Sequence, residues 1–294
     1  VSVEDYLNGF IKKHEHTINS RESMFKKYLE TTGFNADPVL LCYKKNQKIN
    51  QLIKNYESKR SEYEFCTTNR ILHKLWLVQE KNHINEITKI FKNINEIYIA
   101  DGHHRTASSS LLNINNNTSK YFMSLLIAEE NLEIINFNRL IKNINNLTNT
   151  RFLNKVEKYF NITESKNCIP KKHNEIGMYL KNKSYILKLK DKYKKDDCVN
   201  KLDSSIISNH ILQPILNINN ERTSENIDFI SGKIAIKEIK EKVNNNKYKV
   251  AFILKPITID ELKSVANQNK FMPPKSTYIE PKLRSGLTIY QINK

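Results

Sequence analysis

The sequence predicts an α/β (α+β) protein, a mixed sheet with flanking helices. Short apolar runs rich in β-branched and aromatic residues alternate with segments of helical spacing, the pattern of layered sheet-and-helix architectures. One such run, Ile97-Tyr98-Ile99-Ala100, ends on Asp101-Gly102 and opens directly into a helical stretch. An apolar content of 39% beside 27% charged residues suits a packed core rather than wholesale disorder.

The elements follow in order. Val1-Ser2-Val3 reads as a strand end, and a segment preceding Val1 is expected. Ser20 to Thr32 carries Met24, Phe25, Tyr28 and Leu29 at four-residue spacing, an amphipathic helix stopped by Gly33. Pro38 to Tyr43 is a strand and Ile49 to Tyr56 a helix. Ile71 to Val78 alternates as a strand, and Ile84, Ile87, Ile90 and Phe91 restore helical spacing. After the strand Glu96 to Ala100, Thr106 to Leu112 is a helix lined by the small residues Ala107 to Ser110, and Tyr121 to Ala128 is an apolar strand.

From about Asn138 the texture changes, and Asn143 to Thr150 is polar and linker-like. The expected division is therefore a core region over 1–140 and a C-terminal α+β region over 141–294 that packs back on it. Within the second region Arg151 to Phe160 is a helix, and Gly177 to Leu180 with Ser184 to Leu189 form a hairpin across Lys181-Asn182-Lys183. Ser204 to Leu212 is helical, Tyr248 to Leu254 a strand and Ile259 to Ala266 a helix. No internal repeat is visible.

The net charge of +17 invites a nucleic-acid partner, but only 8 of the 48 basic residues are Arg, and scattered Lys is mostly solvated. Nucleic acid is therefore not the expected partner. The four cysteines lie far apart without a C-x-x-C pair, as reduced cytosolic thiols do, and no signal peptide or bilayer-length apolar run is present. A soluble, cytoplasmic chain without a membrane partner is expected, and the sequence leaves its oligomeric state open.

Three clusters can carry chemistry. In the first, a strand that delivers Asp101-Gly102 to a helix start gathers free backbone N–H groups and the positive helix end at one place, where anions bind. Gly102 permits close approach, while His103, His104 and Arg105 add donors and positive charge, with Arg105 as phosphate clamp. Asp101 serves as a helix cap, a metal ligand or a base. The second is His14-Glu15-His16-Thr17; His14 and His16 lack an evident third ligand, so no metal site is assigned, and Glu15 is a candidate general base or magnesium ligand. The third, Met272 to Gly286, carries Lys275, Ser276, Thr277, Lys282 and Arg284 behind a rigid Pro273-Pro274, a candidate phosphate-facing loop. Ser231-Gly232-Lys233 lacks the upstream Gly and the following Ser/Thr of a P-loop and is rejected.

In order and spacing these clusters resemble the DUF1015 family, whose members carry an H-E-x-T block, a D-G-H-H-R block and a terminal M-P-x-K-S-T…P-K…G-L block. Here those are His14 to Thr17, Asp101 to Arg105 and Met272 to Leu287, so the resemblance spans nearly the whole chain. The family pattern also has an N-terminal segment with a proline- and tyrosine-containing motif, which is expected to lie before Val1. The D-G-H-H-R block is similar to the phosphate-binding box of the ParB/sulfiredoxin-like superfamily, which includes free-serine kinases.

That resemblance implies a ParB/sulfiredoxin-like core and a phosphotransferase acting on free serine or a similar hydroxyl compound. Its phosphoryl donor would be ATP, ADP or pyrophosphate with Mg²⁺. His103, His104 and Arg105 would then hold donor phosphates together with Gly102 and Thr106. Lys275, Ser276 and Lys282 would assist, and Asp101 or Glu15 would manage the metal or the hydroxyl proton. The alternative is a ParB-like nucleotide- or nucleic-acid-binding regulator. A sulfiredoxin-like redox enzyme ranks last, because the box there carries Cys where this chain has His103.

Overall fold

A computed structural model of the chain describes residues 1–68, 70–116 and 120–292. Two sheets dominate a mixed α+β architecture. The first has four strands in the order Ile11–Lys12, Ile97–Asp101, Val39–Tyr43 and Ser124–Ala128. The outer pairs are parallel and the central pair antiparallel, so the sheet is mixed. Val39–Tyr43 is buried along its whole length because both faces are covered. Val39 and Leu41 pack with Val3, Ile99 and Phe122 on one face. Leu40 and Cys42 pack on the other with Leu262, Val265 and Ala266 of the helix Ile259–Asn267. A late segment of the chain thus roofs the early sheet.

The second sheet is antiparallel throughout, with six strands in the order Phe160–Ser165, Lys183–Leu189, Glu175–Leu180, Val250–Ile253, Phe137–Ile141 and Ile227–Ser231. Its main core gathers Phe152 and Val156 of the helix Asn149–Glu157 and Ile206, Ile207, Ile211 and Leu212 of a helical stretch against Ile176, Met178 and Phe252. The hairpin turns over two residues, Lys181 and Asn182, both at positive φ (45° and 63°), as primed turns require. The expected helix over 204–212 forms as an α turn, Asp203–Ile207, continued by a π turn, Ser208–Leu212.

Several expectations change. Val1 to Val3 is not a strand end beyond a single bridge from Ser2 to Tyr121; Ser2 instead caps the helix Val3–Leu7, its hydroxyl accepting from the Glu4 N–H. The helix expected over 151–160 stops at Glu157, because Phe160 enters an edge strand paired with Leu189. The strand expected over 71–78 shortens to Leu72–Leu75 and joins neither large sheet, pairing only with Tyr63–Cys66 in a separate exposed hairpin. Among the described residues no helix is long and apolar enough to cross a membrane.

Candidate active site

The strand Ile97–Asp101 ends in the middle of the first sheet, and the helix His103–Asn116 begins two residues later. Gly102 makes the turn at φ +102°, a conformation L side chains rarely adopt. It also leaves room for a close neighbour: a methyl group there would lie 3.0 Å from both Nε and Nη2 of Arg105. The guanidinium is fixed by two acceptors. Its Nη2 donates to Asp101 Oδ2 at 2.7 Å and its Nη1 to the Pro38 carbonyl at 2.6 Å. Asp101 Oδ1 in turn accepts from Lys282 Nζ at 3.0 Å. Both Asp101 oxygens are therefore engaged by cations, and the helix closes its first turn without them, through Thr106 N–H to the Gly102 carbonyl at 3.0 Å.

Both imidazoles of the turn act as acceptors. His104 Nε2 accepts from the Ile18 N–H at 3.0 Å and His103 Nε2 from the His14 N–H at 3.4 Å. Burial lowers the pKa of both, that of His103 to about 3. The positive charge expected of these rings is thus absent. Desolvation keeps them neutral, and they hold the segment His14 to Ile18 against the turn. His14 is itself fully buried, its pKa likewise brought down to about 3 by burial, and its ring nitrogens have no hydrogen-bond partner.

The third cluster docks on the second. The Met272 N–H donates to the His14 carbonyl at 2.9 Å, and Thr277 Oγ1 donates to Glu15 Oε1 at 3.3 Å. Ser276 is buried, donating to Pro273 O at 2.7 Å and lying 2.9 Å from Ser204 Oγ, so it anchors the loop to the helical stretch beneath. Lys275 Nζ lies 5.0 Å from the Phe137 ring centroid and Lys282 Nζ 4.9 Å from that of Tyr278.

These contacts enclose a cavity of about 510 Å³ between the turn, the His14 to Ile18 segment, the C-terminal loop and an aromatic wall, Phe137 and Phe229, from the second sheet. Of the residues singled out in the sequence, Glu15, His16, Asp101, Gly102, His103, His104, Arg105, Pro274, Lys275, Thr277 and Lys282 line it. Thr106 and Ser276 are buried outside the lining; the Thr106 hydroxyl donates to the Gly102 carbonyl at 3.2 Å. The lining also includes Arg21 and Arg222, which the sequence reading passed over. Arg scarcity was the available signal: of eight Arg in a Lys-dominated chain, three, Arg21, Arg105 and Arg222, face this one cavity.

His14 and His16 do not share a metal, since the His16 ring stacks on Phe271 with centroids 3.8 Å apart while His14 packs on His103. Among the described residues no group of three or more His, Cys, Asp or Glu could hold a metal ion. Lys233 pairs with Glu280 at 2.5 Å and lies outside the lining.

The sequence model described as "Protein of unknown function (DUF1015)" matches residues 1–205. The chain belongs to the DUF1015 family. In this DUF1015 chain much of the cavity wall, including Arg222, Phe229, Lys275, Tyr278 and Lys282, comes from residues beyond the matched part. No curated protein matches the sequence. The fold is shared with solved structures. A free serine kinase variant in complex with AMP superposes with a TM-score of 0.53 at 12% identity, covering 100% of this chain and 90% of that one. A variant in complex with ADP gives 0.52 at 13%, with the same coverage. C-terminally truncated SbnI from Staphylococcus aureus gives 0.51 at 13%, covering 100% of this chain and 85% of that one.

Proposed function

We propose that this DUF1015 chain is a small-molecule phosphotransferase, with free serine or a similar hydroxyl compound as acceptor and a nucleotide or pyrophosphate as donor. The observation that carries the reading is the cavity in which a helix start, Arg21, Arg105, Arg222, Lys275 and Lys282 meet Glu15, whose carboxylate accepts a hydrogen bond from the Thr277 hydroxyl rather than from a cation. AMP and ADP in the structural neighbours support a nucleotide donor.

In this reading the first-turn N–H groups of the helix and the cationic side chains take up the charge of the donor phosphates. Glu15 accepts the proton of the acceptor hydroxyl. The hydroxyl oxygen bonds to the terminal phosphorus as the bond to the bridging oxygen breaks, and the electron pair leaves with the remainder of the donor. A protein-held Mg²⁺ does not fit this arrangement: Asp101 is committed to Arg105 and Lys282, and one Glu15 oxygen already accepts from Thr277. Magnesium would travel on the donor phosphates, and no step here runs through it.

Incubating the chain with L-serine, Mg²⁺ and ATP, ADP or pyrophosphate in turn, and reading phosphoserine by phosphorus NMR, tests the proposal. Phosphoserine with one donor is expected, and it should disappear in Glu15→Gln. No phosphoserine with any donor, or salt-sensitive DNA binding lost in Arg105→Ala, would favour the ParB-like regulator instead.

A further inference from the structure

We infer that His103 is the positioning residue for Glu15, donating from a fixed Nδ1–H tautomer to hold the carboxylate in its proton-accepting orientation. The inference rests on Glu15 being the base of the phosphotransferase proposed above.

The argument starts from the backbone. The His14 N–H points at His103 Nε2, 3.4 Å away, and a ring nitrogen that accepts carries no proton. His103 is 6% exposed, so its ring is held neutral and keeps one N–H. That N–H must lie on Nδ1. Nδ1 faces Glu15, 3.9 Å from Oε2, slightly beyond hydrogen-bond length and within reach of a small side-chain rotation when the site tightens around a ligand. Thr277 Oγ1 already approaches the other oxygen at 3.3 Å. The carboxylate thus accepts from the C-terminal loop on one side and faces the neutral ring of the D-G-H-H-R turn, 3.9 Å away, on the other. Neutral donors orient a carboxylate without quenching its basicity as a paired cation would.

His14 completes the device from behind. Its ring meets that of His103 edge to face with centroids 4.5 Å apart, blocking rotation of the imidazole about its own axis. With Nε2 occupied by the backbone and the ring wedged, His103 has one tautomer and one direction in which to donate.

The test uses the intact chain and two variants that separate the nitrogens. In His103→Asn the side-chain amide reaches the Nδ1 position, and in His103→Gln it reaches the Nε2 position instead. Nitrogen-15 NMR of the imidazoles should show His103 neutral with the proton on Nδ1 at pH 7; a proton on Nε2, or an imidazolium, overturns the inference. For turnover of serine, His103→Gln should lose about 10- to 100-fold in kcat, the usual cost of losing a partner that orients a reacting group. The KM for the donor should change little, and His103→Asn should restore most of the loss. Equal losses in both variants that track a lowered Tm mean a purely structural role and overturn it. If the wild-type chain transfers no phosphoryl group, the phosphotransferase reading falls on its own. The positioning is then judged by the carbon-13 carboxyl shift of Glu15, which must differ between wild type and His103→Gln and return in His103→Asn; an unchanged shift overturns it.

Discussion

His14 and His103 stand 89 residues apart in the chain, yet the backbone N–H of the first is bonded to the ring of the second at 3.4 Å. Around that contact the three motif clusters close on one another. Met272 pairs with the His14 backbone, Thr277 reaches Glu15 and Lys282 reaches Asp101. The site is a junction of segments rather than a single loop.

The His14 ring has two buried nitrogens without partners, each a polar group desolvated for no bond. His14→Phe keeps a flat ring against His103 and removes both. It should raise stability by about 1 kcal/mol in denaturant unfolding. A loss greater than about 1 kcal/mol would show that the larger ring overfills the site.

The same burial predicts a response to acid. His14 and His103 titrate at about 3 when folded against 6.5 when exposed, so the unfolded chain binds their protons first and stability falls as pH drops from about 6.5 toward 3. Asp203 acts in the opposite sense: burial raises its pKa to about 7, so between 7 and 3.8 the folded state takes up a proton that the unfolded state does not. For these three groups the balance is about one proton, or ~1.4 kcal/mol lost per pH unit between pH 6 and 4, and the lowered pKa values of His16, His104 and His210 add to the loss in the same sense. Asp203→Asn should steepen the slope by about one proton, ~1.4 kcal/mol per pH unit, and His14→Phe should flatten it by the same amount. Urea unfolding at pH 6, 5 and 4 measures this, and slopes identical in all three proteins would refute the assignment.

Gly102 is irreplaceable for two separate reasons, its φ of +102° and the guanidinium seated on it. Gly102→Ala should cost about 1–3 kcal/mol of stability, displace Arg105 and, under the phosphotransferase proposal, abolish ADP binding. Arg105→Lys retains the charge but cannot serve Asp101 and the Pro38 carbonyl together. It should weaken ADP binding at least tenfold by calorimetry with a smaller loss of stability than Gly102→Ala. Tight ADP binding in either variant would remove Arg105 from the site.

Much of the first sheet was legible because its strands are buried on both faces and so read as apolar runs, as at Val39–Tyr43 and Ile97–Asp101. Strands with an exposed or short pattern escaped: Ile11–Lys12 has two residues, Tyr63–Cys66 is exposed throughout, and Ile227–Ser231 is an edge. Their pairing depends on partners far along the chain, and no local pattern encodes that. The helix Ile236–Asn244 was passed over although Ile239 and Val243 repeat at four-residue spacing, because lysine and asparagine crowd its neighbours.

The sequence alone determined the strand–turn–helix, since Asp-Gly between an apolar strand and a small-residue helix admits few other conformations, and its three motif clusters identified the family. Only the folded chain decided what those side chains are. Burial made the histidines neutral acceptors, the turn paired Asp101 with Arg105 while a remote segment brought Lys282 to its other oxygen, and the second sheet delivered Phe137 and Phe229 to the far wall. Protonation state and partnership depend on desolvation and on distances between remote segments, and these exist only once the chain has closed.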